Sequence, residues 1–223
     1  MSRTQRDPRK ATSLRSRRPG WFGWTAGLLI AGLVVVVLYS VFATANAPKP
    51  AGAAGNSRLT YRVASPGIGQ IAPDFTLEDN TGGKVSLADY SGKNVLLFFQ
   101  EGIACESCWT QIASFETDAA RLKAAGIDAV VSITQDPAPL ISRKVADMGL
   151  ATPVLSDPDL ATSNKYQANK YTMMGSSTDG HSFILVGPDG IIKWRADYGG
   201  APDYTMYVPV NQLLLDLKAD TKS

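Results

Sequence analysis

The chain holds two cysteines and one histidine in 223 residues, so thiol or imidazole chemistry has few possible owners. The cysteines are Cys105 and Cys108, with only Glu106 and Ser107 between them. A disulfide stabilises a fold chiefly by constraining the unfolded chain, and it does so more when it closes a long loop. A loop this short gains little, so the pair reads as reactive rather than structural. A structural zinc site needs four Cys or His ligands, more than two cysteines and one histidine supply.

The surroundings of the pair sharpen this reading. Residues 94–100 contain Val95, Leu96, Leu97, Phe98 and Phe99, a short apolar run suited to a strand buried on both faces. Residues 105–125 carry Ile112, Phe115, Ala119 and Leu122 at the spacing of one helical face. Cys-x-x-Cys at a strand-to-helix junction within an α/β pattern is a redox signature. Unpaired N–H groups and a partial positive charge at the helix N-terminus favour a thiolate there. They lower a thiol from its ordinary pKa of about 8.5 toward the range ~3.5 to ~7.5. Cys105 is expected to be the exposed attacking thiol. Cys108, on the same face one turn on, is expected to resolve the mixed disulfide. Glu106 opposes the thiolate slightly and favours a milder, more reducing pair.

The elements that must position this pair follow from periodicity and turn chemistry. Residues 75–79 and 84–87 flank Asn80-Thr81-Gly82-Gly83, a hairpin signature. Strands are expected at 129–134 and 153–157, and helices at 140–148, 160–168 and 211–218. A second tight hairpin joins 182–186 to 191–195 through Gly187-Pro188-Asp189-Gly190. Alternating β and α elements, then a hairpin and a helix, give an α/β domain with a mixed sheet flanked by helices over residues 66–220.

Residues 1–20 carry Arg3, Arg6, Arg9, Lys10, Arg15, Arg17 and Arg18 against Asp7 alone, a local charge of +6. The whole chain sums to +2, so the remainder is −4, and nucleic-acid binding is not expected. Residues 21–45 contain no charged side chain, and a helix of about 20 apolar residues crosses a hydrocarbon core. Arginines on one side only predict a single-pass signal anchor in the cytoplasmic membrane, with the N-terminus cytoplasmic and the rest outside. Trp21, Phe22, Trp24, Tyr39 and Phe42 suit its interfacial ends. A cleaved signal peptide is the alternative, since Ala43-Thr44-Ala45 has the small-x-small form of a cleavage site. Residues 46–65, rich in Pro and Gly, read as a flexible linker. Outside the cytoplasm, disulfide chemistry is permitted.

Several stretches together resemble the AhpC/TSA–redoxin branch of the thioredoxin superfamily. They are Ala72-Pro73-Asp74-Phe75-Thr76-Leu77, Val85-Ser86-Leu87, the run from Tyr90 to Phe99, and Pro188-Asp189-Gly190-Ile191-Ile192. The likeness spans residues 67–217 and implies a thioredoxin-like fold with redox thiol chemistry. Peroxiredoxins carry Pro-x-x-x-Thr-x-x-Cys and a later Arg that polarise a peroxide. Matched on Phe98-Phe99, Cys108 stands at their peroxidatic position, Cys105 at the Thr, Glu101 at the Pro and His181 at the Arg. Exported thiol–disulfide reductases resembling those of cytochrome c maturation share the anchor and the Cys-x-x-Cys, and His181 stands at their cis-proline. The shared motif favours a reductase acting on exported protein disulfides and regenerated by a membrane thiol donor; peroxide reduction is the alternative.

The resemblance also puts His181 beside the cysteines, where it is a candidate acid/base or thiolate-tuning group. Cys105, Cys108 and His181 would then form a possible soft-metal set for Cu(I), as in copper-delivery proteins of similar plan whose motif is one residue longer. No cofactor is expected. Glu101 is close enough in sequence to assist proton transfer, with a solvated loop carboxylate as its plainer role. Met173 and Met174 are expected to pack over the core edge, and Trp109 to pack beside the pair.

Overall fold

The structure, a computed structural model, describes residues 32–39 and 59–220. The two stretches belong to separate units, Met1–Asn56 and Ser57–Ser223. Residues 32–39 form a helix, α1, with exposed side chains. Among the described residues no helix is long and apolar enough to cross a membrane. The rest of the expected 21–45 span lies outside them, as do residues 1–20 and 46–58.

The second unit is built on one seven-stranded sheet of order β2-β1-β5-β4-β3-β6-β7. Its strands are β1 (Thr76–Asp79), β2 (Lys84–Ser86), β3 (Val95–Phe99), β4 (Ala129–Thr134), β5 (Val154–Ser156), β6 (Ser182–Val186) and β7 (Ile192–Asp197). Strands β3, β4 and β5 run parallel, while β1 joins β5, and β6 joins β3, antiparallel. The helices are α2 (Glu106–Thr117), α3 (Ala119–Ala124), α4 (Ala138–Met148), α5 (Ala161–Tyr166) and α6 (Val210–Asp220). This is the mixed α/β arrangement that the sequence pattern implies, with both hairpins where they were expected.

Every side chain of β3 is buried, and successive residues serve opposite faces because side chains alternate along a strand. Leu96 and Phe98 join Ile112 and Phe115 of α2, Ile141 and Val145 of α4, and Leu213 and Leu217 of α6. Val95, Leu97 and Phe99 face Leu87, Tyr166, Ile184 and Ile192 on the other side. Burying one such side chain contributes about 1.5–3 kcal/mol, so β3 is firmly held at the point where it delivers the chain to the cysteine loop.

Two boundaries differ from expectation. The helix expected over 105–125 is broken at Asp118, which closes α2 and opens α3. The small turn this introduces leaves Ala119 exposed rather than on the buried face. Residues 59–65, read as the end of a flexible linker, are docked on β7. Arg62 exchanges backbone hydrogen bonds with Asp197, and the Ala64 N–H donates to the Asp197 carboxylate at 2.8 Å. That carboxylate is held by Arg195 in an ion pair with both side chains fully buried, and Arg195 also donates to the Pro66 carbonyl at 2.9 Å.

Candidate active site

Beyond Phe99 the chain enters a loop fixed by side chains of its own strand ends. The Gln100 side chain accepts from the Gly102 N–H at 2.8 Å, and Asp136, just past β4, accepts from the Ile103 N–H at 2.7 Å. Gly102 has φ +91°, and a Cβ there would lie 2.2 Å from the Asp136 carboxylate. Only glycine combines that conformation with that approach. The Trp109 indole N–H donates to the Gly102 carbonyl at 3.1 Å, tying the first turn of α2 back to the loop.

Cys105 is the N-cap of α2 and Cys108 lies in its first turn. The two sulfurs are joined in a disulfide, with Cα atoms 5.3 Å apart. The Cys105 sulfur also accepts from the Cys108 N–H at 3.3 Å, the cap interaction that the helix start calls for. The sulfurs are not equally reachable: Cys105 is 8% exposed and Cys108 is 0% exposed. Between them Glu106 points outward to Lys144 of α4 at 3.1 Å, and Lys144 lies over the Trp109 ring. Nothing in the pattern of residues 140–148 signals Lys144, because only the packing of α4 on α2 brings it there.

The structure brings His181 to the cysteines, as the resemblance implied. Its Nδ1 is 3.8 Å from the Cys108 sulfur. The ring is fully buried, edge-on to Phe98 and Phe183. Burial pushes its pKa down to about 3, so the imidazole is neutral at ordinary pH. The other ring nitrogen, Nε2, is buried without a hydrogen-bond partner.

Glu101 departs from its plainer sequence reading. It is not solvated but 1% exposed. One carboxylate oxygen accepts from the Thr172 hydroxyl at 2.8 Å and from the Met173 N–H, and the other has no partner. Glu101 thus pins the 172–178 loop, whose Met173 and Met174 are 57% and 47% exposed instead of packed at the core edge. Trp109 is buried, as expected.

Sequence reasoning passed over Asp179, two residues before His181. It is fully buried, and neither of its carboxylate oxygens has a hydrogen-bond partner. Burial holds its pKa well above the usual carboxylate range, opposed by the nearby Ser163 hydroxyl, which itself donates to Asp157, and helped by the charges of Asp157 and Asp136. Asp157 is itself occupied at the start of α5 by the Thr162 and Ser163 N–H groups and the Ser163 hydroxyl. Among the described residues, no group of three or more His, Cys, Asp or Glu side chains is arranged to hold a metal ion. Cys105, Cys108 and His181 do come together, with the sulfurs bonded to each other.

A sequence model of the AhpC/TSA family matches residues 68–195, which contain both cysteines and His181. A putative peroxiredoxin of Mycobacterium tuberculosis is 34% identical over 127 residues, covering 56% of this chain and 80% of its relative. Peroxiredoxin Bcp of Escherichia coli is 32% identical over 128 residues, covering 56% and 81%. Among solved structures, peroxidoxin BcpB of M. tuberculosis superposes with a TM-score of 0.56 at 19% identity, covering 68% of this chain and 96% of that one. AhpC of Enterococcus faecalis gives 0.57 at 21% identity, covering 70% and 92%. At that identity the superpositions speak for the thioredoxin-like fold.

Proposed function

The chain belongs to the AhpC/TSA family and is a thiol-dependent oxidoreductase, and on that premise we propose that it exchanges disulfides with other proteins through Cys105 and Cys108. The observation that carries this reading is the closed bond between two sulfurs on one helical turn, with Cys105 the outer one. In the reduced protein the Cys105 thiolate, facing the Cys108 N–H at the helix start, attacks a substrate disulfide. A Cys105–substrate disulfide forms and one substrate thiol leaves. Cys108 then attacks the Cys105 sulfur, the second substrate thiol leaves, and the intramolecular disulfide closes. A dithiol donor reverses these steps.

The second reading is peroxide reduction, favoured by the similarity to proteins named peroxiredoxins. There one cysteine thiolate takes an oxygen from the peroxide, releasing water or alcohol, and the other displaces hydroxide from the sulfenic acid to give the same disulfide and a second water. Against fast peroxide chemistry stand Glu101, Cys105 and His181 at the positions of the activating Pro, Thr and Arg. The fully buried Cys108 stands at the peroxidatic position.

The discriminating experiment mixes the reduced full chain with hydrogen peroxide or with a protein disulfide and follows Trp109 emission and free thiols. Disulfide exchange predicts peroxide oxidation near the rate of free cysteine and rapid oxidation by the protein disulfide. The reverse pattern establishes the peroxidase. Ser at Cys105 is expected to abolish exchange, whereas Ser at Cys108 leaves substrate trapped on Cys105.

The proposed setting is the outer face of the cytoplasmic membrane, with residues 21–45 as the anchor and a membrane thiol donor as the source of electrons. The one-sided basic segment and the uncharged run after it support this reading. Protease added outside intact cells is expected to remove the redox domain; protection of the domain rejects that orientation.

A further inference from the structure

From the contact between its Nδ1 and the Cys108 sulfur, we infer that His181 is the base that takes the proton from Cys108 when this thiol resolves the mixed disulfide. The inference rests on Cys105 being the entering sulfur, because only then is Cys108 the thiol that must ionise late and in the interior.

The need for such a group comes from burial. Cys108 has no exposed surface, so no water reaches its sulfur to remove the proton, and apolar surroundings raise a thiol's pKa. Its own backbone N–H points to Cys105 rather than to its own sulfur. The polar side chain that meets it is His181, with Nδ1 at 3.8 Å.

The surroundings of His181 suit this task. Cys108 from α2 and the rings of Phe98 from β3 and Phe183 from β6 lie against it, and burial, with no charged group contributing, sets the direction in which its pKa moves. Tyr198, beyond Phe183, donates its hydroxyl to Asp216. Burial keeps the ring in its proton-free form while the disulfide is closed and opposes a lasting positive charge there, so the ring can hold the proton only in passing, while a thiolate forms nearby. The position is held by backbone: His181 N–H donates to the Tyr171 carbonyl, and its carbonyl accepts from the Tyr198 N–H at 2.9 Å. The partnerless Nε2 is the structural cost of turning Nδ1 toward sulfur. A buried polar atom with no partner calls for an explanation of this kind.

The step balances. The proton leaves the Cys108 sulfur for Nδ1 as that sulfur's electron pair forms the bond to the Cys105 sulfur. The bond from Cys105 to the substrate sulfur breaks, and its electron pair departs on the substrate thiolate, which receives the proton back from Nδ1. In the reducing direction the attacking donor thiol gives up its proton to Nδ1 as it bonds to the Cys105 sulfur, and Nδ1 passes that proton to Cys108 as the intramolecular disulfide opens. The imidazolium lasts only until the departing substrate thiolate takes its proton, so the positive charge on the ring is balanced by that thiolate while it exists.

The test uses the reduced full chain in detergent micelles and 5,5′-dithiobis(2-nitrobenzoate). Each protein releases two thionitrobenzoate ions, the first by attack of Cys105 and the second by resolution through Cys108. His181→Asn is expected to keep the first rate and to slow the second by about 100-fold or more at neutral pH. The second rate should recover as pH rises toward that of an unaided thiol. A second release at the unaltered rate and with the unaltered pH profile overturns the inference and leaves the exchange reading standing. An unaltered first release from Cys105→Ser overturns the exchange reading itself. The unsubstituted protein offers an independent check, since it has a single histidine. With ¹⁵N-labelled imidazole, reduction of the disulfide should move the Nδ1 resonance as it gains a thiol partner; an Nδ1 signal indifferent to redox state refutes the contact.

Discussion

Asp179 and His181 are two residues apart and both are fully buried, yet they occupy opposite kinds of interior. His181 is enclosed by aromatic rings and one sulfur, with no charged neighbour in contact. Asp179 lies among acids, with Asp157 and Asp136 adding to the effect of burial. Burial disfavours the charged form of each, lowering the pKa of the histidine and raising that of the aspartate. Strong perturbation alone therefore does not mark the working group. The difference lies in contact, because only the histidine meets a sulfur that must change its protonation.

The sharpest way to test this contrast is the pH dependence of stability in the oxidised protein. For His181 the unfolded pKa is near 6.5 and the folded value about 3, so the unfolded chain binds the extra proton between them. Stability is then present above 6.5 and is lost as pH falls toward 3. His181→Phe should remove that loss, worth several kcal/mol at about 1.4 kcal/mol per pKa unit, as read by denaturant melts at pH 4 and pH 7. For Asp179 the folded protein holds the extra proton, so stability falls as pH rises from about 3.8 through the raised folded value. Asp179→Asn should therefore gain on the parent as pH rises, with little effect on disulfide exchange. Parallel slopes for the two variants would break the comparison.

Smaller effects are expected where a charge keeps its partners. Glu101→Ala removes two acceptor contacts and should cost about 1–2 kcal/mol, with faster hydrogen exchange at the Met173 amide. Lys144→Ala should cost less than about 1 kcal/mol and matter less still at high salt, because its Glu106 partner is largely exposed.

Legibility in the sequence followed the range of the interactions. The β3 strand, the two hairpins and the cysteine pair at a helix start rest on neighbours within a few residues, and their patterns state them directly. Glu101 looked like a loop carboxylate because its partners, Thr172 and Met173, lie about seventy residues onward. The proximity of His181 to Cys108 came from the family resemblance, since no local pattern joins residues 73 positions apart. Asp179 gave no signal at all, for an acid before a strand is ordinarily a turn residue. Ala119 matched the helical period but fell beyond a break at Asp118 that period counting does not register.

The helical turn that carries the disulfide is intact while the bond is closed: the Cys108 N–H still donates to the Cys105 carbonyl at 3.0 Å, and the Trp109 indole remains tied to Gly102. Opening the sulfur–sulfur bond is therefore expected to leave these backbone ties in place. In the proposed cycle, electrons would then enter and leave without melting the turn. A device of this kind should cycle at a speed set by encounter and proton movement, and should present proteases with the same outline in either redox state.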